Sequence, residues 1–194
     1  MYYQPVRVVM VDAPPDLIAE RHRLGLDKSD EVWEGEYHMV PPASSAHGDM
    51  QSGLVEVLRP VARSAGLELV AERGVFDPAV PDFTSFRVPD LVAATRDHIS
   101  DRGVEGRAAL VIEVRSPGDE TFQKLPFYER VGVEELLVVD RDTRALSHRI
   151  READRLVESP PGPDGVTKLR AIPAALHTDG DVLVVDAGGT RWHL

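Results

Sequence analysis

The sequence predicts an α/β fold: a mixed sheet flanked by helices, with additional strands toward the C-terminus. Two patterns carry that expectation. As far as Asp140, stretches with helical spacing of apolar residues alternate with short runs of strand character, the order that builds a sheet covered by helices. Beyond Asp140 only strand-like runs remain. The length, 194 residues, suits one domain, and no repeat, low-complexity tract or composition shift marks a boundary inside it.

Element by element, Asp12 and the Pro14-Pro15 pair open a helix over 15–24 that Gly25 closes. Two short strands follow, 32–34 and 36–40, with Gly35 between them and Pro41-Pro42 ending the second. Ser44 or Ser45 then caps a helix over 46–65, where Met50, Leu54, Val57, Leu58, Val61 and Ala65 share one face and Gly66 offers a left-handed end. Pro60 is expected to kink it. A strand over 67–72 leads to an irregular stretch, 77–85, with two prolines. Strands at 88–94 and 107–115, a turn and helix over 119–131 and a strand over 135–140 come next, and strands near 145–151, 166–171 and 182–186 complete the chain.

Composition narrows the function. Zero cysteines exclude disulfide scaffolds, cysteine-ligated zinc, iron-sulfur clusters and thiol catalysis, and leave a metal only oxygen and imidazole ligands. Such a chain fits a reducing cytoplasm. The early apolar run Val8–Val11, bounded by Arg7 and Asp12, is too short for a membrane span or the core of a targeting segment, so no membrane contact is expected. A net charge of −11 repels polyanions on average and excludes broad wrapping of nucleic acid, though not a local contact.

Chemistry concentrates in the centre: Arg87-Val88-Pro89-Asp90-Leu91-Val92, then Ala109-Leu110-Val111-Ile112-Glu113-Val114-Arg115-Ser116-Pro117, then Lys124. Each acid sits on an apolar strand, where an unpaired charge is costly to bury. If the two strands pair around Asp101-Arg102-Gly103, one register sets Asp90 opposite Glu113. Opposed Cβ atoms lie roughly 4.5–5.5 Å apart and like charges there repel. A divalent cation is the natural compensator, and two carboxylates with water suit Mg²⁺. Alternation puts Arg115 on the side of Glu113, where it could hold a phosphate, neutralise the acid or stand as a strand-end charge in solvent. Lys124, one turn beyond Ser116-Pro117-Gly118-Asp119, can point back over the strand ends. Other signatures are missing: there is no His-Glu-x-x-His, and Gly188-Gly189 lacks the surroundings of a phosphate-binding loop. Phe127 and Tyr128 are expected to pack the helix on the sheet.

These residues resemble the PD-(D/E)XK nuclease superfamily and, within it, the Uma-two family of restriction-endonuclease-type proteins. The resemblance spans roughly 32–140. It rests on Glu34-Gly35-Glu36 followed by His47 at a helix start, Val88-Pro89-Asp90, Val111-Ile112-Glu113-Val114 with Ser116-Pro117, Lys124-Leu125 with Tyr128, and Gly132-Val133 leading into Leu137-Val138-Val139-Asp140. It implies a restriction-endonuclease-like fold in which Asp90 and Glu113 hold Mg²⁺, with Mn²⁺ able to substitute, and Lys124 serves as the active-site lysine. The superfamily's usual lysine position, two residues after the second acid, holds Arg115 here. The family resembles this chain in supplying the lysine from the following helix. Glu36 matches a family acid that completes the site, and His47 is brought to its edge.

The expected function is Mg²⁺-dependent hydrolysis of DNA phosphodiester bonds by Asp90, Glu113, Lys124, Arg115 and Glu36. DNA is the expected partner, and a homodimer remains an open assembly. The main rival is a catalytically silent nuclease-fold module with a binding or regulatory role. A third reading is metal-free glycoside hydrolysis by the two carboxylates.

Overall fold

The computed structural model describes residues 8–80 and 82–194; Arg7 and Pro81, which figure in the sequence reading, lie outside them. In chain order the elements are β1 (Val8–Val11), α1 (Pro15–Leu24), β2 (Glu31–Trp33), β3 (Glu36–Met39), α2 (Ser45–Ser64), β4 (Glu68–Ala71), β5 (Val75–Phe76), β6 (Phe86–Arg87), β7 (Leu91–Ala94), β8 (Val104–Glu105) and β9 (Leu110–Arg115). There follow α3 (Leu125–Val131), β10 (Glu135–Asp140), β11 (Leu146–Glu152), β12 (Arg155–Glu158), β13 (Thr167–Lys168), β14 (Ala174–Asp179), β15 (Val182–Ala187) and β16 (Thr190–His193).

Local chemistry sets the helix ends. Proline at the first turn of α1 lacks the N–H that would go unpaired there, and Gly25 closes the helix at φ 68°. The Ser44 hydroxyl accepts the His47 amide at 3.3 Å and caps α2. On α2 the i, i+4, i+7 spacing of Met50, Leu54, Val57, Leu58 and Val61 turns one face inward, and Leu54 and Leu58 are fully buried. Each such leucine contributes roughly 1.5–3 kcal/mol of transfer free energy.

The α/β class stands, but the one mixed sheet expected from sequence is three sheets. The central sheet runs β12-β11-β10-β9-β7-β4, a second runs β1-β3-β2-β6-β5-β8, and the C-terminal strands form a third, β13-β14-β15-β16. In the central sheet β9 and β10 are parallel and joined across α3, whereas β7 pairs antiparallel with β9. Pro89 causes the main departure. It donates no hydrogen bond to a ladder, and the strand expected over 88–94 starts only at Leu91, as β7 of the central sheet, while β6 just ahead of it at Phe86–Arg87 belongs to the second sheet. The expected strand at 166–171 shrinks to Thr167–Lys168. The segment between β7 and β9 is not a plain hairpin, since it holds a 3-10 turn at Arg96–His98 and sends β8 into the second sheet.

Alternation divides the central sheet into two faces. Leu91, Ala93, Leu110, Ile112, Val114, Leu137 and Val139 pack toward α2 and the third sheet, in one cluster with Leu176, Leu183 and Val185. Val92, Val111, Leu136 and Val138 pack with Phe127, Tyr128 and Val131 of α3. Glu113 lies between Ile112 and Val114 in β9 and so faces α3. The buried Arg87 guanidinium lies 4.4 Å from the ring centres of both Trp33 and Phe127, which ties the second sheet to α3. Among the described residues no helix is long and apolar enough to cross a membrane.

Candidate active site

The observed register pairs Leu91 with Ile112 and Val92 with Val111, so one step outward Asp90 comes opposite Glu113, as the sequence arithmetic required. Asp90 sits where Pro89 interrupts the ladder. One carboxylate oxygen, Oδ2, accepts the Val114 amide at 2.6 Å, and Oδ1 lies 2.8 Å from His47 Nε2. The Gln51 side-chain amide donates to the Asp90 carbonyl at 3.1 Å. The first turns of α2 therefore hold the strand entrance from one side. The hydrogen bond to Asp90 raises the His47 pKa against the opposing effect of burial.

Glu113 is 3% exposed. Its Oε1 accepts the Tyr128 hydroxyl at 2.5 Å and lies 3.2 Å from Lys124 Nζ. Burial pushes its carboxyl up to about 7, Lys124 pulls the other way, and the nearby charges of Asp90 and Glu31 add to the rise. Lys124 closes a 3-10 turn, Thr121–Lys124, that leads directly into α3. Asp119 builds the approach to that turn by accepting the Ser116 amide at 2.5 Å on Oδ2 and the Thr121 hydroxyl at 2.8 Å on Oδ1. From there Nζ reaches Glu31 Oε1 at 2.8 Å as well as Glu113. Burial works against the charged ammonium, but Glu113 and Glu31 on either side outweigh it and hold the pKa above its ordinary value.

Asp90, Glu113 and Lys124 are thus brought together, with His47 at Asp90. Arg115 stands at the rim: its side chain is 40% exposed, 3.4 Å from Asp140 Oδ2 and 5.5 Å from the centre of the Phe122 ring. Glu36 is exposed on β3, and its side chain makes no hydrogen bond or ion pair among the described residues. The early-strand acid that reaches Lys124 is Glu31. Three contributors escaped the sequence reading: Glu31, the Tyr128 hydroxyl, and Arg141, whose Nη1 reaches the hydroxyls of Ser44 at 3.1 Å and Ser116 at 3.4 Å. Only the order Glu31-Val32-Trp33, an acid inside a short apolar strand, offered a signal for the first.

A family model described as "Putative restriction endonuclease", Uma2, matches residues 12–179. The chain belongs to the Uma2 family. Among solved structures, this Uma2 chain is similar to one described as a "putative nuclease belonging to DUF820" from Anabaena variabilis ATCC 29413. That likeness has a TM-score of 0.58 and 16% identity, and it covers 73% of this chain and 82% of that one. It shows a shared fold. No curated protein matches.

The donor set of this Uma2 chain fits a small, hard divalent cation. Asp90 and Glu113 offer oxygen donors from facing positions, and the hydrogen bonds to Glu113 use Oε1. Burial first, and then the charges of Asp90 and Glu31, lift the Glu113 carboxyl to about 7 despite Lys124, and a dication beside it would offset that excess of negative charge. Among the described residues no group of three or more His, Cys, Asp or Glu side chains forms a metal cage. An ion that keeps most of its waters, such as Mg²⁺, suits two carboxylates.

Proposed function

We propose that this Uma2 chain is a Mg²⁺-dependent endonuclease acting on DNA, with Mn²⁺ able to substitute. The observation that carries the reading is the buried ammonium of Lys124, 3.2 Å from Glu113, itself opposite Asp90. The family supports nuclease chemistry in general, and this cluster supports the finer assignment.

Asp90 and Glu113 would hold the ion. When bound, a divalent cation supplies a nucleophilic water at neutral pH and neutralises charge at the phosphate. His47 and the Val114 amide orient Asp90, and Tyr128 fixes the Glu113 carboxylate by donating to Oε1. A lysine ammonium carries three N–H donors. Glu31 and Glu113 take two, so one remains to orient a water or a phosphate oxygen. Arg115, always charged and forked, suits a phosphate at the rim.

The test is incubation of purified protein with supercoiled, linear and single-stranded DNA in Mg²⁺, Mn²⁺ or chelator, beside calorimetric titration with Mn²⁺. Cleavage that needs the ion, with Mn²⁺ binding lost in Asp90→Asn and Glu113→Gln, is expected. Intact DNA in every arm would overturn the reading in favour of a silent binding module, and cleavage of a polysaccharide added in a separate chelator arm would favour glycoside hydrolysis.

A further inference from the structure

Glu31 is 2% exposed on the three-residue strand β2. Burying a carboxylate is costly, and an apolar residue of similar volume would serve packing as well or better. The structure meets that cost with donors from three separate parts of the chain. Oε1 accepts the Val88 amide at 2.8 Å and lies 2.8 Å from Lys124 Nζ, while Oε2 accepts the Trp33 indole N–H at 2.7 Å. Val88 stands two residues before Asp90. Lys124 comes from the far side of β9. One carboxylate therefore touches both the segment that delivers the first acid and the side chain that serves the second.

We propose that Glu31 is a positioning residue, which fixes Lys124 Nζ beside Glu113 and, through the Val88 amide, sets the Pro89–Asp90 entrance of β7. Its catalytic consequence rests on the nuclease reading; its structural consequence does not. A lysine carries about 2 kcal/mol of rotamer entropy. With Glu113 alone, at 3.2 Å, Nζ has a single anchor and the stem can pivot about it. A second carboxylate at 2.8 Å leaves one position between the two oxygens. Glu31 touches the lysine and a backbone amide, and so acts through them.

The chain has three lysines, Lys28, Lys124 and Lys168, and the first and last are exposed. Limited acylation with an N-hydroxysuccinimide ester of acetate, read by peptide mass spectrometry, therefore carries its own reference. In the parent, Lys124 should lag well behind the other two. In Glu31→Gln, which keeps the side-chain shape and removes the charge, its rate relative to Lys28 and Lys168 should rise about tenfold as the local opening becomes easier. Glu31→Asp, with the charge kept and the reach shortened, should fall between. Thermal melts establish that each variant is folded, and Glu31→Asp carries the comparison if Glu31→Gln does not fold. Single-turnover cleavage should fall in Glu31→Gln, while Mn²⁺ binding is retained, because an ion held by Asp90 and Glu113 keeps its ligands. Unchanged protection of Lys124 in a folded variant would overturn the assignment, as would loss of Mn²⁺ binding, which would make Glu31 a ligand. Exposure of Lys124 with a parent protein that cuts no DNA would leave the positioning role standing and remove the nuclease reading.

Discussion

Replacing Lys124 by methionine removes one charge and nearly nothing else in volume, and the structure sets the size of the result. The side chain is 13% exposed and separates Glu31 and Glu113, which are 3% and 4% exposed at their side chains. Without the ammonium, two buried carboxylates face each other with no cation between them. Removing one partner of a buried pair costs roughly 3–5 kcal/mol. For a chain of this length each kcal/mol lowers the melting temperature by about 2–4 °C, so Lys124→Met should melt about 6–20 °C below the parent in chelator. The double variant Lys124→Met/Glu31→Gln deletes one of the stranded charges and should recover part of the loss, which marks the coupling between the two sites. Differential scanning calorimetry at pH 8 in chelator measures all four members of the cycle. A Lys124→Met protein that melts within about 2 °C of the parent would refute the reasoning, because the carboxylates would then have to be compensated by something other than the lysine. The prediction also separates two ways in which Lys124 variants lose activity, since a stability deficit appears without DNA and a purely catalytic one does not.

Two further outcomes follow from other parts of the molecule. The buried Glu135 carboxylate accepts from His148 Nε2 at 2.6 Å and from the Arg170 and Ala171 amides at 2.8 Å each, which fastens the third sheet to the central one. Glu135→Ala orphans those donors at about 1–3 kcal/mol each and should cost at least 3 kcal/mol in urea unfolding, with faster hydrogen exchange around 167–171; an unchanged midpoint would show that the sheet docks by apolar contact alone. DNA affinity, measured by fluorescence anisotropy with Ca²⁺ in place of Mg²⁺, should depend weakly on salt, with a log-log slope near −2 if Arg115 and Arg141 are the cations used, at about −0.9 per phosphate neutralised. A slope steeper than about −5 would reveal a basic surface elsewhere.

What the sequence made legible follows physical scale. α2 was readable nearly to the residue because its apolar spacing and serine cap are local signals, and β10 because a continuous apolar run bounded by acids has one reading. The opposition of Asp90 and Glu113 was readable because strand register is arithmetic once two strands are paired. Strands of two residues, such as β5, β6 and β8, carry no periodicity, so of the second sheet only β2 and β3 were legible. Glu31 was missed for a related reason. The expected strand began at Val32, one residue too late, which left Glu31 in a loop, and the early acid named for the site, Glu36, came from the family resemblance. Which of two acids five residues apart reaches a lysine some ninety positions on depends on how β2 packs against β6 and the Lys124 turn, and no local pattern encodes that. Tyr128 illustrates a different limit. Its ring packs with Phe127 and Val131 as expected, yet its hydroxyl also serves Glu113, a dual role that apolar spacing cannot show.

The charge of −11 acquires a more specific meaning at the site than in the composition. Around the strand ends, Asp90, Glu113 and Glu31 outnumber the one buried ammonium, and the rim cations are already engaged, Arg115 with Asp140 and Arg141 with Asp142. A phosphate arriving without a metal would meet three carboxylates and two arginines whose charge is half spent on neighbours. A dication between Asp90 and Glu113 would cancel that excess of negative charge, and those arginines could then exchange their acids for a phosphate at little cost, since ion pairs near the surface are worth about 1 kcal/mol or less. The ion would then decide whether a polyanion can approach at all, as well as whether it is cut. On the proposed reading, binding of DNA and binding of the metal would be reciprocal, each raising the affinity for the other by the same factor.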